Sequence, residues 1–230
     1  FPTFYAVYKK DKVAYSLGVN PIGGGGSAKF ESGLPSFEQM VAVIPTSLSD
    51  GGIPTSQYSM NSSFNGNSLN WGFQFNASYA LTDMISLSLG FRYVIANNTY
   101  EGYLKDIMIN PMHPLNSQGA GNMVSAPLFF SAVSDAATGA ANSLQPIIDG
   151  GGGTFTLDQL VGAGYITQGQ ADQLSGGLGA NYDPTWTADQ VQGAYYVTAG
   201  KMADSAAATA NKEVDASQTS SGISPIIGVN

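Results

Sequence analysis

Few side chains in this chain could do chemistry, and those few point to holding a ligand more than to transforming one. His113 is the single histidine and stands between Met112 and Pro114. One imidazole cannot build a multi-histidine metal site, and without cysteine there is neither a thiolate ligand nor a thiol nucleophile. No serine occupies the Gly-x-Ser-x-Gly elbow of a hydrolase, so His113 has no recognisable nucleophile to activate. The run Gly23–Gly26 leads into Ser27-Ala28-Lys29-Phe30, whereas a phosphate loop ends in Gly-Lys followed by Ser or Thr. Gly150–Gly153 has no lysine after it and reads as a joint between helices. The expectation is a protein that is not an enzyme and needs no cofactor and no metal.

Three groups of residues stand out as binding candidates. Met40, Val43 and Ile44 form a short apolar stretch in a polar loop, and Phe129, Phe130 and Tyr195 recur in the second half of the chain. Together they could line a greasy groove, or they could be the core that folds their own segments, since pocket linings are themselves mostly apolar. Arg92 and Lys105 are the cations available to a ligand carboxylate; Arg92 could equally pair with an acid on a neighbouring strand. Asn20-Pro21-Ile22, followed by Gly23 and Gly24, form the third group. Proline cannot donate to a sheet ladder and glycine permits a bend. Either a strand ends there, or it is kinked and loses pairing on one side, which would open a lateral exit in a barrel wall.

The elements that must position these groups are strands. From Ser68 to Leu81 the odd positions read Leu69, Trp71, Phe73, Phe75, Ala77, Tyr79, Leu81, and the even ones Asn70, Gly72, Gln74, Asn76, Ser78, Ala80. A tight turn is expected at Thr82-Asp83, after which Ile85, Leu87, Leu89, Phe91, Tyr93 and Ile95 share one face. A first hairpin runs from Phe4–Tyr8 through Lys9–Lys12 into the alternating Val13, Tyr15, Leu17 and Val19. These runs exceed what a soluble sandwich needs and suit tilted strands that cross a bilayer. Residues 23–67 are expected to be an extracellular loop. Beyond Asn110-Pro111 the alternation is lost, and three capping boxes, Thr156–Gln159, Thr167–Gln170 and Thr187–Gln190, announce helices near 156–163, 167–175 and 187–212; a further helix is expected near 123–145. The expected layout is barrel strands over 1–111, a helical extracellular insertion over 112–221, and the start of another strand over 222–230.

Composition agrees with that layout. Of 230 residues only 24 are charged, 8 basic and 16 acidic, while 43% are apolar. So little charge with so much apolar content does not make a disordered chain, and no run of about 20 apolar residues offers a spanning helix. Residues 1–111 carry 6 basic and 7 acidic groups, residues 112–230 carry 2 and 9, so the net charge of −8 divides as −1 and −7. No nucleic acid is expected as a partner, since scattered cations on an acidic chain make no electrostatic footprint. The fold class expected is an all-β transmembrane β-barrel, antiparallel and up-and-down, with a mostly α-helical extracellular insertion. It would be partial, because four strands and the start of a fifth cannot close a barrel, and the remaining strands would lie before Phe1 and after Asn230.

The order of these segments resembles the outer-membrane long-chain fatty acid transporter family (FadL/TodX-like). The stretches that carry the resemblance are Pro2–Ala6 to Asp11-Lys12, Tyr15–Pro21 into Gly23-Gly24, Leu69–Tyr79, Leu87–Tyr93 and Gly222–Asn230. The resemblance implies a monomeric 14-stranded barrel with an N-terminal plug, in the bacterial outer membrane. Hydrophobic ligands would be caught between extracellular loops, enter a lumenal pocket and leave sideways beside a kinked strand. A basic residue of the family falls on Gly102 here, with Lys105 the nearest substitute, and the insertion is longer than the corresponding family loop. The expected function is passive uptake of hydrophobic small molecules such as long-chain fatty acids, with the ligand and outer-membrane lipid as partners. The alternative is an outer-membrane surface-binding or adhesin barrel that uses the helical insertion for recognition.

Overall fold

The computed structural model describes residues 2–230. Strands β1 (Phe4–Lys10) and β2 (Val13–Phe30) form the first hairpin. Lys10 stands opposite Val13, which leaves Asp11-Lys12 as the loop; Asp11 takes φ +51, a left-handed conformation that a short polar side chain tolerates. β2 pairs antiparallel with β3 (Tyr58–Ala80), β3 lies beside β4 (Ser86–Ile109), and β4 pairs on its far side with β6 (Lys212–Val229) and the two-residue β5 (Val124–Ser125). The result is an open, mostly antiparallel sheet. The connection between β3 and β4 runs from Leu81 to Ile85, where the Thr82 hydroxyl accepts the N–H groups of Met84 and Ile85 at 3.2 and 3.0 Å.

The chain divides into two compact units. The first comprises Phe1–Leu34, Ser62–Tyr103 and Glu213–Asn230. In it the alternation becomes two chemically different faces. Val13 stands opposite Tyr79, Leu17 opposite Phe75, Val19 opposite Phe73 and Pro21 opposite Trp71, so these apolar side chains share one face. Tyr15 stacks on Phe75, and Phe75 meets Phe91, at ring separations of 6.3 and 6.2 Å. This face is uncovered: Leu17, Phe75, Leu89 and Ile227 are all exposed, the last at 80%. The opposite face carries Ser16, Gln74, Asn76, Ser88 and Arg92. Glycines on that face receive a neighbour's side chain. A Cβ on Gly90 would lie 2.1 Å from the Asn76 Oδ1, one on Gly72 2.5 Å from the Ile22 Cγ2, and one on Gly228 2.5 Å from the Ser88 Oγ.

The second unit comprises Pro35–Asn61 and Leu104–Lys212. It contains α1 (Pro35–Ala42), α2 (Ile44–Asp50), α3 (Ala126–Ile147), α4 (Leu157–Gly162), α5 (Gln168–Leu178) and α6 (Ala188–Thr209). All three capping boxes form: Thr156, Thr167 and Thr187 each donate a backbone N–H to the glutamine three residues on, at 2.9, 2.8 and 2.9 Å. One core packs Leu144, Leu157, Leu160, Leu174, Val191 and Tyr195 among the later helices. A second gathers Val41, Leu48, Leu104, Ile107, Ile109, Phe129 and Phe130. Asn116 ties the intervening loop, its amide donating to the carbonyls of Pro111 and Asn122 at 3.2 and 2.8 Å.

Some expected boundaries move. Residues 23–67 are not one loop, because β2 continues to Phe30, two helices follow, and β3 begins at Tyr58. The glycine run has no side chains to alternate, yet its backbone pairs with β3; helices of 8 and 7 residues are too short to display a period. β6 begins at Lys212, ten residues before the expected start at 222; Val214 and Ala216 are the only apolar residues in Lys212–Ser221, too few to show an alternation. Gly150–Gly153 forms, with Ile148 and Asp149, a wide irregular turn after α3, with Gly151 at φ +94. No described helix is long and apolar enough to cross a membrane, which says nothing about crossing by strands.

Candidate functional site: an apolar cleft in the helical unit

The end of β4 builds the floor of a cleft through one unusual residue. Asp106 takes φ +54, and its carboxylate accepts the Asn61 amide at 2.9 Å while its own N–H donates to the Asn211 side chain at 2.9 Å. One residue in the left-handed region shifts the strand's phase in the manner of a bulge. Leu104, Ile107 and Ile109, which do not share a face in a regular strand, are therefore buried together, at 7%, 3% and 0% exposure. Against this floor lie α1 and α2. Val41 and Leu48 are buried, whereas Met40 and Val43 are 59% and 57% exposed. The α1 end is fastened where the Tyr58 hydroxyl donates to Glu38 at 3.1 Å.

These elements, with Phe130 of α3 and the last turns of α6, enclose a cleft of about 340 Å³. Its lining is mostly aliphatic and sulfur-bearing: Met40, Val43, Ile44, Leu104, Ile107 and Met202. Polar groups come from Ser47 and from Ser205, Thr209 and Lys212, close together in sequence where α6 gives way to β6. The Ser205 and Thr209 hydroxyls each donate to the carbonyl four residues back, at 2.9 and 2.7 Å. A site of this kind can remove hydrocarbon from water, worth about 0.8 kcal/mol per buried methylene, and offers no group for covalent chemistry.

The structure brings together four of the residues singled out from the sequence, Met40, Val43, Ile44 and Phe130. Phe129 lies beneath them in the core at 1% exposure. Tyr195 belongs to the other core, where its hydroxyl donates to the Leu174 carbonyl at 2.7 Å and burial pushes its pKa up. It is a packing residue, not a wall of this cleft. Lys105 follows Leu104 on β4 but is not part of the lining. Leu104, Ile107 and Lys212 were not singled out, and only the Asp106 phase shift, invisible in an apolar–polar pattern, would have pointed to the first two.

The remaining candidates lie in the first unit. Arg92 is on the polar strand face, its Nε donating to Gln74 Oε1 at 2.9 Å and its Nη2 to the same oxygen; its partner is an amide on the adjacent strand, not an acid. Asn20, Pro21, Gly23 and Gly24 sit within β2, not at its end. The ladder to β3 skips between Pro21 and Gly23 and again between Gly23 and Gly26. Gly24 adopts φ +88 so close to β3 that a Cβ would lie 2.3 Å from the Ser68 carbonyl oxygen. β1 accompanies β2 only as far as Val19, so among the described residues β2 has no strand partner on that side through the bulged stretch. His113 is half-buried, with its ring edge-on to Phe129 and its Nδ1 accepting the Leu115 N–H at 3.2 Å. Among the described residues no three His, Cys, Asp or Glu side chains converge as a metal site would need. Comparison with known proteins finds no match: no family model fits the chain, and no curated protein or solved structure is significantly similar to it.

Proposed function

We propose that the chain takes up hydrophobic small molecules, long-chain fatty acids among them, passively across the bacterial outer membrane. The observation that carries this reading is the two-faced sheet. A continuous apolar and aromatic face, from Tyr15 and Leu17 through Phe73, Phe75 and Leu89 to Ile227, lies uncovered, and a face of Ser, Asn, Gln, Gly and Arg backs it. Water penalises such a face at roughly 25 cal/mol per Å², whereas hydrocarbon does not. Glycines on the polar face leave room for neighbouring side chains that a Cβ would meet. An open sheet leaves unpaired backbone groups, so in hydrocarbon it is viable as a segment of a closed barrel.

In this reading the apolar cleft of the helical unit captures the ligand, and the bulged stretch of β2 is where it leaves. Bulges at Pro21–Gly26 remove ladder hydrogen bonds on one side of the strand, which loosens a wall without charge or catalysis. Binding of tritiated palmitate to the full chain in detergent micelles tests the capture step. Val43→Asp combined with Ile44→Asp is expected to weaken saturable binding by about tenfold or more, because two carboxylates in an apolar lining must stay hydrated. Absence of saturable binding by the unsubstituted chain would end the reading. Pro21→Thr, which returns a backbone N–H to β2, is expected to lower cellular uptake while binding in the cleft is unchanged.

A further inference from the structure

A second cavity, of about 450 Å³, lies within the helical unit among α3, α5, α6 and the turn before α5. Its floor is Leu144, Leu174 and the ring of Tyr195, whose hydroxyl is already committed to the Leu174 carbonyl. Its rim is different in kind: Tyr165, Gln170 and Gln173, all exposed, and no charged side chain lines the cavity. In the capping box the Gln170 Oε1 accepts the Thr167 N–H at 2.8 Å and the Thr167 hydroxyl at 3.1 Å. That contact fixes the side chain through its oxygen, and the Nε2, with two donor protons, takes no part in it. Tyr165 is held edge-on to Phe155 at 6.3 Å and stays 46% exposed.

A fixed amide, a second free amide and a phenol over an apolar floor, without charge, match one ligand chemistry well. A pyranose ring has an apolar C–H side that packs on an aromatic face and a rim of hydroxyls that both accept and donate. A fatty carboxylate finds no cation here, and a charged headgroup no counter-ion. We propose that this cavity is a binding site for a neutral saccharide, separate from the apolar cleft and independent of the uptake reading.

Saturation-transfer difference NMR on the full chain in lauryldimethylamine oxide micelles tests it, with methyl α-glucoside, methyl β-galactoside and N-acetylglucosamine as probes. Transfer to at least one sugar is expected, falling about fivefold or more in Tyr165→Ala and in Gln173→Ala, as loss of one stacking or hydrogen-bonding partner requires. Palmitate binding and helical circular dichroism should stay unchanged in both variants, since neither residue lines the apolar cleft or serves in a capping box. No transfer to any of the three sugars, or transfer that survives both substitutions, overturns the proposal. So does parallel loss of sugar and palmitate signals with the fold intact, which would mean one site instead of two.

Discussion

His113 shows how much one residue's surroundings change its chemistry. Its Nδ1 accepts a backbone N–H and its ring lies against Phe129, so burial disfavours the imidazolium and holds the pKa below the ordinary 6.5. As pH falls below that ordinary value the unfolded chain takes up a proton that the folded chain refuses. Stability therefore declines until the folded pKa is passed, and rises with pH in that window. Thermal unfolding at about pH 7.5 and 5.5 should show a larger drop in Tm for the unsubstituted chain than for His113→Gln. Equal drops would mean that the imidazole stays solvated. Asp106 makes a second residue-level case. Its φ of +54 suits Asp or Gly far better than a β-branched side chain. Asp106→Val should cost about 1–3 kcal/mol in denaturant unfolding, and Asp106→Gly clearly less.

At the scale of elements, the helices are legible where chemistry is local and the strands where it is periodic. The boxes at Thr156 and Thr167 each satisfy two N–H groups with residues three apart, and at Thr187 the glutamine takes the cap's own N–H, so all three mark helix starts without tertiary help. Thr167→Ala should accordingly lower stability by about 1 kcal/mol and fray the first turn of α5, seen as faster amide exchange at Gln170. Unaltered exchange there would mean that packing of Leu174, not the cap, holds the helix. Alternation located the facing runs of β2, β3 and β4 but failed where side chains stop alternating. The glycines of β2 pair through backbone alone, and the polar first half of β6 is held by its ladder with β4. The first turns of α1 and α2 are too short for any period, and their residues matter through burial against β4.

At the scale of the whole molecule the question is what covers the apolar strand face. The chain has two tryptophans, Trp71 on that face opposite Pro21, and Trp186 in the helical unit, edge-on to Tyr182. In bilayers with brominated acyl chains, Trp186→Phe should leave fluorescence that the bromines quench. Trp71→Phe should leave fluorescence that they do not. Quenching of neither tryptophan, or of Trp186 alone, would remove the membrane from the account of this sheet. The experiment reads the environment of each unit separately and needs no assumption about how the two are arranged.

The sequence by itself determined the two-faced strands, the starts of α4, α5 and α6, and the scarcity of groups able to do chemistry. Those properties depend on residue type and on neighbours two to four positions away. Tertiary structure decided which apolar residues form a cleft and which a core. Phe129 and Phe130 are adjacent in sequence, yet the first is sealed in packing and the second lines the cleft. Tyr195, alike in type, went to another core altogether. Exposure of an apolar side chain depends on what the fold brings up from far along the chain: Asn61 and Asn211 hold the Asp106 conformation that turns Ile107 and Ile109 inward beside Leu104. No spacing in the sequence records that, because the phase shift rests on one backbone dihedral and on hydrogen bonds to Asn61 and Asn211.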